Sequence, residues 1–419
     1  MRKYLKVGVV LLALAVPSAL AQSCTVTIGS VMALTGSLGV LGQAIAQGAQ
    51  LAVSDLNAAG GVNGCTVKLS LSDDQTQANV GVDAAKKLVD VQHVPAIVGA
   101  LSSGITTAIL TSVSAPAHVI LISPASTSPT LTDLGKQGKT GGYFFRTAPS
   151  DALQGIGMAK YALDGGVNRV AVMYLNNAYG QGLADQFSAA FKKLGGTVTQ
   201  SVVYNPDQPS YRSEVNKALG GNPQALFLIG YPGDGTTIAR EWVASGGPQT
   251  WLLPDGLEDQ HFVDDVGSQY FKSVYGTAPG STTTPSLATF RKEFQDKFGQ
   301  VPTQAYVTNA YDATVIVGLA MEYAGTNTDT AKIRDAMYKV TDPKGQKVFA
   351  GVNELETAHG LMNLGTTVQY VGATGPLTFN QYGDVAGPYN KWTVQKGKVV
   401  ETGQITVDQI QQVQSQMGQ

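Results

Sequence analysis

Apolar residues recur along this chain with two alternating periods, and the alternation itself predicts the fold. Residues 26–32 read as a strand. Ile45, Ala49, Ala52, Val53 and Leu56 then fall on one helical face, and Gly60-Gly61 ends that helix. A strand over 67–71 follows, then a helix striped by Val80, Ala84 and Leu88, a strand over 96–100, a helix over 105–114 and a strand over 119–123. The series restarts with strand 169–175, helix 182–194, strand 198–204 and helix 211–219. It continues through strand 225–231, helix 236–245 and strand 251–254. Strands and helices alternating at these lengths imply right-handed crossovers and parallel sheets covered on both faces. Two such runs predict two doubly wound α/β units.

Two stretches of punctuation, 138–142 and 277–285, are where the chain can cross between the units. Three helical stretches come after the second, over 287–298, 304–323 and 330–340. From Thr367 onward the chain reads as short, Gly-rich and strand-like.

The amino terminus stands apart from this pattern. Arg2, Lys3 and Lys6 precede uncharged, mostly apolar residues 7–16, Pro17 breaks the run, and Ala19-Leu20-Ala21 supplies small residues before a cleavage point. That is an export leader over 1–21, too short to span a bilayer as a helix. The longest other apolar run, 315–321, reads as a core helix. Cys24 raises a lipid-anchor reading, but Ala21-Gln22-Ser23 lacks the large aliphatic residue and the small residue that such a signal places before its cysteine. A free, exported protein is therefore expected.

Composition then removes whole classes of function. The chain has 419 residues, 14% of them charged, and a net charge of −2. Loss of the leader takes away three basic charges and leaves −5. Nucleic-acid binding would need a basic face, and disorder would need fewer apolar residues and more charge. Two cysteines rule out a disulfide scaffold or a zinc ribbon. Cys24 and Cys65 each open a strand-like alternation. If those strands are parallel neighbours, the two residues lie about 5 Å apart, within disulfide range; otherwise they are two unrelated thiols.

The chain carries no Gly-x-Ser-x-Gly, no Walker A and no His-Glu-x-x-His, and its histidines (93, 118, 261, 359) are scattered. Gly36, Gly39 and Gly42 form a Gly-x-x-Gly-x-x-Gly, which is not the dinucleotide fingerprint. The informative clusters sit where ligands bind in open α/β sheets, after the carboxyl ends of strands. Leu101-Ser102-Ser103-Gly104 and Ser123-Pro124-Ala125-Ser126-Thr127 offer hydroxyl and amide donors suited to a carboxylate, or serve simply as helix caps. Tyr179, Tyr231 and Asp255 follow strands of the second run. The tyrosines fit a ligand site or ordinary packing, and Asp255 a ligand site or a cap.

Leu34-Thr35-Gly36-Ser37, the run Leu51-Ala52-Val53-Ser54-Asp55-Leu56-Asn57-Ala58-Ala59-Gly60-Gly61-Val62-Asn63-Gly64, Phe145-Arg146-Thr147, Tyr179-Gly180-Gln181-Gly182 and Gly375-Pro376-Leu377-Thr378-Phe379 occur in that order. On these segments the chain resembles the type I periplasmic binding proteins, and within them the leucine/isoleucine/valine-binding branch that serves ABC importers. The resemblance implies two lobes joined by three crossovers, lobe 1 from 22–145 and 278–383 and lobe 2 from 146–277 and 384–419. It implies that Ser103, Ala125 and Thr127 hold an amino acid's α-carboxylate, that Asp255 pairs with its ammonium, and that Tyr179 and Tyr231 wall the pocket. Leu41 stands where the branch often has an aromatic residue, Asp255 is shorter than the Glu of some relatives, and 343–365 is an apparent insertion.

The leading expectation is a receptor that delivers an amino acid, branched-chain or similarly aliphatic, to membrane permease subunits. Amides, urea or aromatic acids as ligands, and a sensing role, are the alternatives; a hydrolase is opposed by the lack of a histidine near the candidate serines. No cofactor, metal or nucleic acid is expected, and the protein is expected to act as a monomer.

Overall fold

The computed structural model describes residues 24–418; the expected export leader and its expected cleavage point lie outside them. The first unit runs β1 (Thr25–Met32), α1 (Gly39–Ala58), β2 (Thr66–Asp73), α2 (Ala78–Lys86), β3 (Ala96–Gly99), α3 (Ser103–Ile109), β4 (Ile120–Ser123), α4 (Pro129–Lys136) and β5 (Phe144–Arg146). Its five strands pair in parallel in the order β2-β1-β3-β4-β5. Every residue of β3 and β4 is buried, as expected of central parallel strands covered on both faces.

The second unit runs α5 (Asp151–Asp164), β6 (Arg169–Leu175), α6 (Ala178–Lys193), β7 (Thr197–Tyr204), α7 (Arg212–Leu219), β8 (Ala225–Ile229), α8 (Pro232–Ala244), β9 (Thr250–Leu253), α9 (Gln260–Val266) and β10 (Ser273–Pro279). The chain then returns to the first unit through α10 (Pro285–Phe298), α11 (Val307–Ala324) and α12 (Thr330–Lys339). Next come β11 (Gln346–Val348), α13 (Val352–Asn363), β12 (Val368–Gly372) and β13 (Gly375–Pro376), whose strands form a small sheet. It finishes on the second sheet with β14 (Tyr389–Gln395), β15 (Lys398–Ile405) and α14 (Val407–Gly418). That sheet has the order β15-β14-β10-β9-β8-β6-β7, parallel from β10 to β7, with β14 and β15 antiparallel at one edge.

The doubly wound α/β class holds, with differences in detail. The glycine-rich stretch 138–142 is no crossing: it links α4 to β5 within one sheet, and the chain crosses only after Arg146. The segment read as strand-like to its end closes with helix α14, whose Ile410 and Val413 are buried. The insertion 343–365 contributes β11 and α13 and buries Leu355 and Ala358.

Glycines fix how closely helices approach the sheets. A Cβ on Gly42 would lie 1.8 Å from the Ala33 carbonyl oxygen, and one on Gly180 would lie 2.0 Å from that of Leu175. Each lets the first turn of a helix sit directly on the loop that leaves its strand. Gly42 therefore belongs to packing, not to a nucleotide loop.

Arg146, fully buried at the end of β5, organises the crossing region. Its Nε donates to Asp384 Oδ1 at 2.7 Å, Nη1 to the carbonyls of Ser126 and Ser128, and Nη2 to Thr132 Oγ1. Thr147 and Asn309 bond reciprocally beside it, hydroxyl to carbonyl and amide to carbonyl.

Thr25 pairs with Thr66 in register, which puts Cys24 beside Cys65, and the two are joined with their Cα atoms 4.7 Å apart. The bond spans 41 residues of sequence. Closing a loop of that length in the unfolded chain is worth about 3–4 kcal/mol in the chain-entropy model. The Cys24→Ser, Cys65→Ser double variant should lose about 2–4 kcal/mol of unfolding free energy, measured by denaturant titration against the oxidised protein.

Candidate functional site

The carboxyl ends of β3, β4, β6, β8 and β9 converge where the two sheets face each other, and the residues around them line a small cavity. Ser103, Ala125, Tyr179, Tyr231 and Asp255 all line it. Of the six residues to which the resemblance gives a ligand role, Thr127 alone is not on the wall. Its hydroxyl donates instead to Asp151 Oδ2 at 2.9 Å.

Asp255 begins a single 3-10 turn directly after β9 and is 4% exposed. Its Oδ1 accepts from Gln154 Nε2 at 2.9 Å and from the Tyr179 hydroxyl at 3.1 Å, and its Oδ2 accepts from the Tyr306 hydroxyl at 2.6 Å. All three donors are neutral, and no ion pair to Asp255 occurs among the described residues. Burial raises its pKa, while the bonds from Tyr306, Gln154 and Tyr179 pull it back. Burial, and then the charge of the same carboxylate, push the Tyr179 and Tyr306 hydroxyls well up, so both stay protonated donors.

A second acid stands close behind. Asp151, the first residue of α5, is fully buried, and its Oδ1 has no hydrogen-bond partner. Burial first, and then the charge of Asp255, raise it well above the usual carboxylate range; Thr127 and Arg146 act the other way. Gln154 lies one turn further along α5 and anchors its amide on Thr277 as well as on Asp255.

Part of the lining is apolar. Leu38, Leu41, Ile45 and Leu101 supply it from the first unit, all nearly or fully buried. Tyr179 and Tyr231 stack face to face, centroids 5.5 Å apart and planes within 6°, and flank the space from the second unit. Ser103 Oγ accepts from the Ser128 N–H at 3.2 Å, which ties the β3 loop to the β4 loop. Ala125 and Ser126 donate their N–H groups to Ser123 Oγ. The site thus brings together a carboxylate, hydroxyls and aliphatic side chains around one small cavity. Among the described residues no three His, Cys, Asp or Glu side chains converge as a metal site requires.

Sequence reasoning missed Tyr306, Gln154 and Asp151. Tyr306 holds φ +69° just before α11, and nothing local marks it as a partner of an acid 51 residues away. The pair Asp151 and Gln154 reads as an ordinary first helical turn after the Ser150 cap.

Comparison with known proteins gives a consistent answer. A family model described as periplasmic binding protein matches residues 25–375. A Leu/Ile/Val-binding protein homolog of Brucella melitensis is 27% identical over 90% of this chain and 93% of its own length. A substrate-binding protein of a chemotactic signal transduction system in Halobacterium salinarum is 30% identical over 84% of this chain and 82% of its own. A solved leucine binding protein of Thermotoga maritima shares the fold, with a TM-score of 0.77 at 24% identity over 91% of this chain and 99% of that one.

The raised carboxyls have a consequence for stability. They bind protons more tightly folded than unfolded, so their contribution is full below the ordinary value of 3.8 and is lost as pH rises through the raised values. Asp312, pushed to about 6, and Asp74, pushed to about 7, act in the same direction. The ligand-free protein should therefore be more stable at pH 5 than at pH 8. Asp151→Asn should narrow that difference. Denaturant unfolding across this range measures both.

Proposed function

The chain belongs to the periplasmic binding protein family, and from that premise we propose that it is the solute receptor of an ABC importer, binding a branched-chain or similarly aliphatic amino acid between its two sheets. The observation that carries this reading is Asp255: a buried carboxylate, served only by neutral donors, that lines the same small cavity as four aliphatic side chains. A ligand that brings one ammonium and one aliphatic side chain complements both features at once.

In this reading the α-ammonium pairs with Asp255, and the α-carboxylate lies against Ser103 and Ala125. Thr127 lies off the cavity wall with its hydroxyl engaged by Asp151, and supports the loop that carries Ala125. The side chain packs on Leu38, Leu41, Ile45 and Leu101, where full burial of a leucine-sized group is worth about 1.5–3 kcal/mol. Tyr179 and Tyr231 close the pocket from the second unit.

The lobe bounds expected from the sequence, 22–145 with 278–383 and 146–277 with 384–419, shift at two crossings, because β5 keeps Arg146 in the first lobe and β10 keeps 278–279 in the second; the lobes hinge on the three crossings. The leader is removed after Ala21, and the mature protein works in the periplasm as a monomer that presents its closed form to permease subunits. The family is one of binding proteins, and a transport role needs no catalytic group. Among the described residues no helix is long and apolar enough to cross a membrane.

Asp255→Asn tests the assignment. Removing the charge leaves a bound ammonium buried without its partner, which costs about 3–5 kcal/mol, roughly a hundredfold to several thousandfold in affinity. Calorimetric titration with L-leucine, L-isoleucine and L-valine should show binding by the wild type and none at micromolar ligand by the variant. Equal affinities would exclude the amino-acid reading in favour of a neutral amide or a carboxylic acid.

A further inference from the structure

The loops of the two units touch across the mouth of the cleft at a few points. The Tyr231 hydroxyl lies 3.1 Å from Ser102 Oγ, Ser128 Oγ donates to the Ala178 carbonyl at 2.7 Å, and the Gly233 N–H points at the Ser37 carbonyl. Two glycines sit at these points, Gly182 in α6 and Gly233 in α8. A Cβ on Gly182 would come within 2.9 Å of both Pro129 Cδ and Ser128 Oγ. One on Gly233 would come within 3.0 Å of the Cα and Cβ of Ser37. Every near neighbour of either position belongs to the first unit, while the glycines themselves belong to the second.

Their neighbours in sequence behave differently. Gly180 is hemmed in by Leu175 and Gly235 by Leu257, both in the same unit as the glycine. Those two serve the packing of helix on sheet. Gly182 and Gly233 do not, and neither holds a left-handed φ, so an ordinary side chain fits their own backbone. Nothing in their own unit requires glycine there; what requires it is the approach of the opposite loops.

From this we infer that Gly182 and Gly233 are the positioning residues that set how far the cleft closes, and so how tightly it holds its ligand. The inference rests on reading the cleft as a binding site that closes over a small molecule. A side chain at either point acts as a spacer between the lips. It holds Tyr231 away from Ser102 and leaves Asp255 and the ammonium in wetter surroundings, where the pair is weaker. Because both positions lie in helices, alanine should leave the free protein as stable as before or more so. Affinity and stability are then expected to move in opposite directions, which a packing role would not produce.

The test is a series, Gly182→Ala, Gly182→Val, Gly233→Ala and Gly233→Val, in the full mature protein. L-leucine is titrated calorimetrically, and melting temperature is measured without ligand. Small-angle scattering gives the radius of gyration at saturating L-leucine. The expected order of affinity at each position is Gly, then Ala, then Val, with Val weakened roughly tenfold or more, the scale of an overpacked contact. The free alanine variants should melt at or above the wild-type temperature, and the bound valine variants should keep a larger radius than the bound wild type. Wild-type affinity and wild-type bound radius in the valine variants would overturn the inference. So would an affinity loss matched by a fall in the melting temperature of the free protein. If the wild type ignores L-leucine but binds benzoate, the amino-acid reading fails, and the same series titrated with benzoate decides the role of the glycines.

Discussion

A carboxylate buried without a cation is the constraint on which this site turns. Asp255 lies out of water, held by two tyrosine hydroxyls and one amide, none of which carries charge. Asp151 adds a second buried acid nearby. Arg146, the buried cation of this region, is already paired with Asp384. Removing a charge from water is expensive unless it is paired and hydrogen-bonded, so the arrangement is incomplete by itself and complementary to an ammonium. On the proposed reading, the aliphatic side chains that line the same cavity then select among amines.

Such a site works only if five strand ends are held in register from both sheets. Arg146 meets that need on one side: a single guanidinium ties the carbonyls of Ser126 and Ser128, the Thr132 hydroxyl and Asp384 at the third crossing. Losing one partner of a buried pair of this kind typically costs about 3–5 kcal/mol, so the loop geometry beneath Ala125 and Thr127 is strongly enforced. On the other side, Gly180 brings the start of α6 down onto the end of β6, which places Tyr179 over the cleft. The lips can then meet because Gly182 and Gly233 leave room for Ser128, Pro129 and Ser37. Hinge, pocket and lips are parts of one arrangement built on that buried charge.

Much of this was legible in the sequence, and what was not has a physical reason. Strand and helix periods are local, so the two wound units could be read from the spacing of Ile45, Ala49, Ala52 and Leu56 and of the series like it. Residues after strand ends are also placed by topology alone, which is why Ser103, Tyr179, Tyr231 and Asp255 could be named and do line one cavity. Tyr306, Gln154 and Asp151 come from elements 51, 101 and 104 residues from Asp255 in sequence, and nothing in their surroundings distinguishes them from packing or capping residues. Thr127 shows the same limit from the other direction. Its position was readable, but the acid that turns its hydroxyl away from the cavity was not. The stretch 138–142 misled because glycine marks a turn and not a destination.

The most direct test removes the ammonium from the ligand and leaves the protein untouched. L-leucine and 4-methylpentanoate share the aliphatic chain and the carboxylate and differ in the α-ammonium. Calorimetric affinities of the wild-type protein for the two, in one buffer at pH 7, isolate the contact with Asp255. Loss of half of a buried ion pair sets the expectation: the deaminated analogue should bind at least about a hundredfold more weakly than L-leucine. Equal or tighter binding of 4-methylpentanoate would contradict the account, because Asp255 would then be facing no ammonium at all.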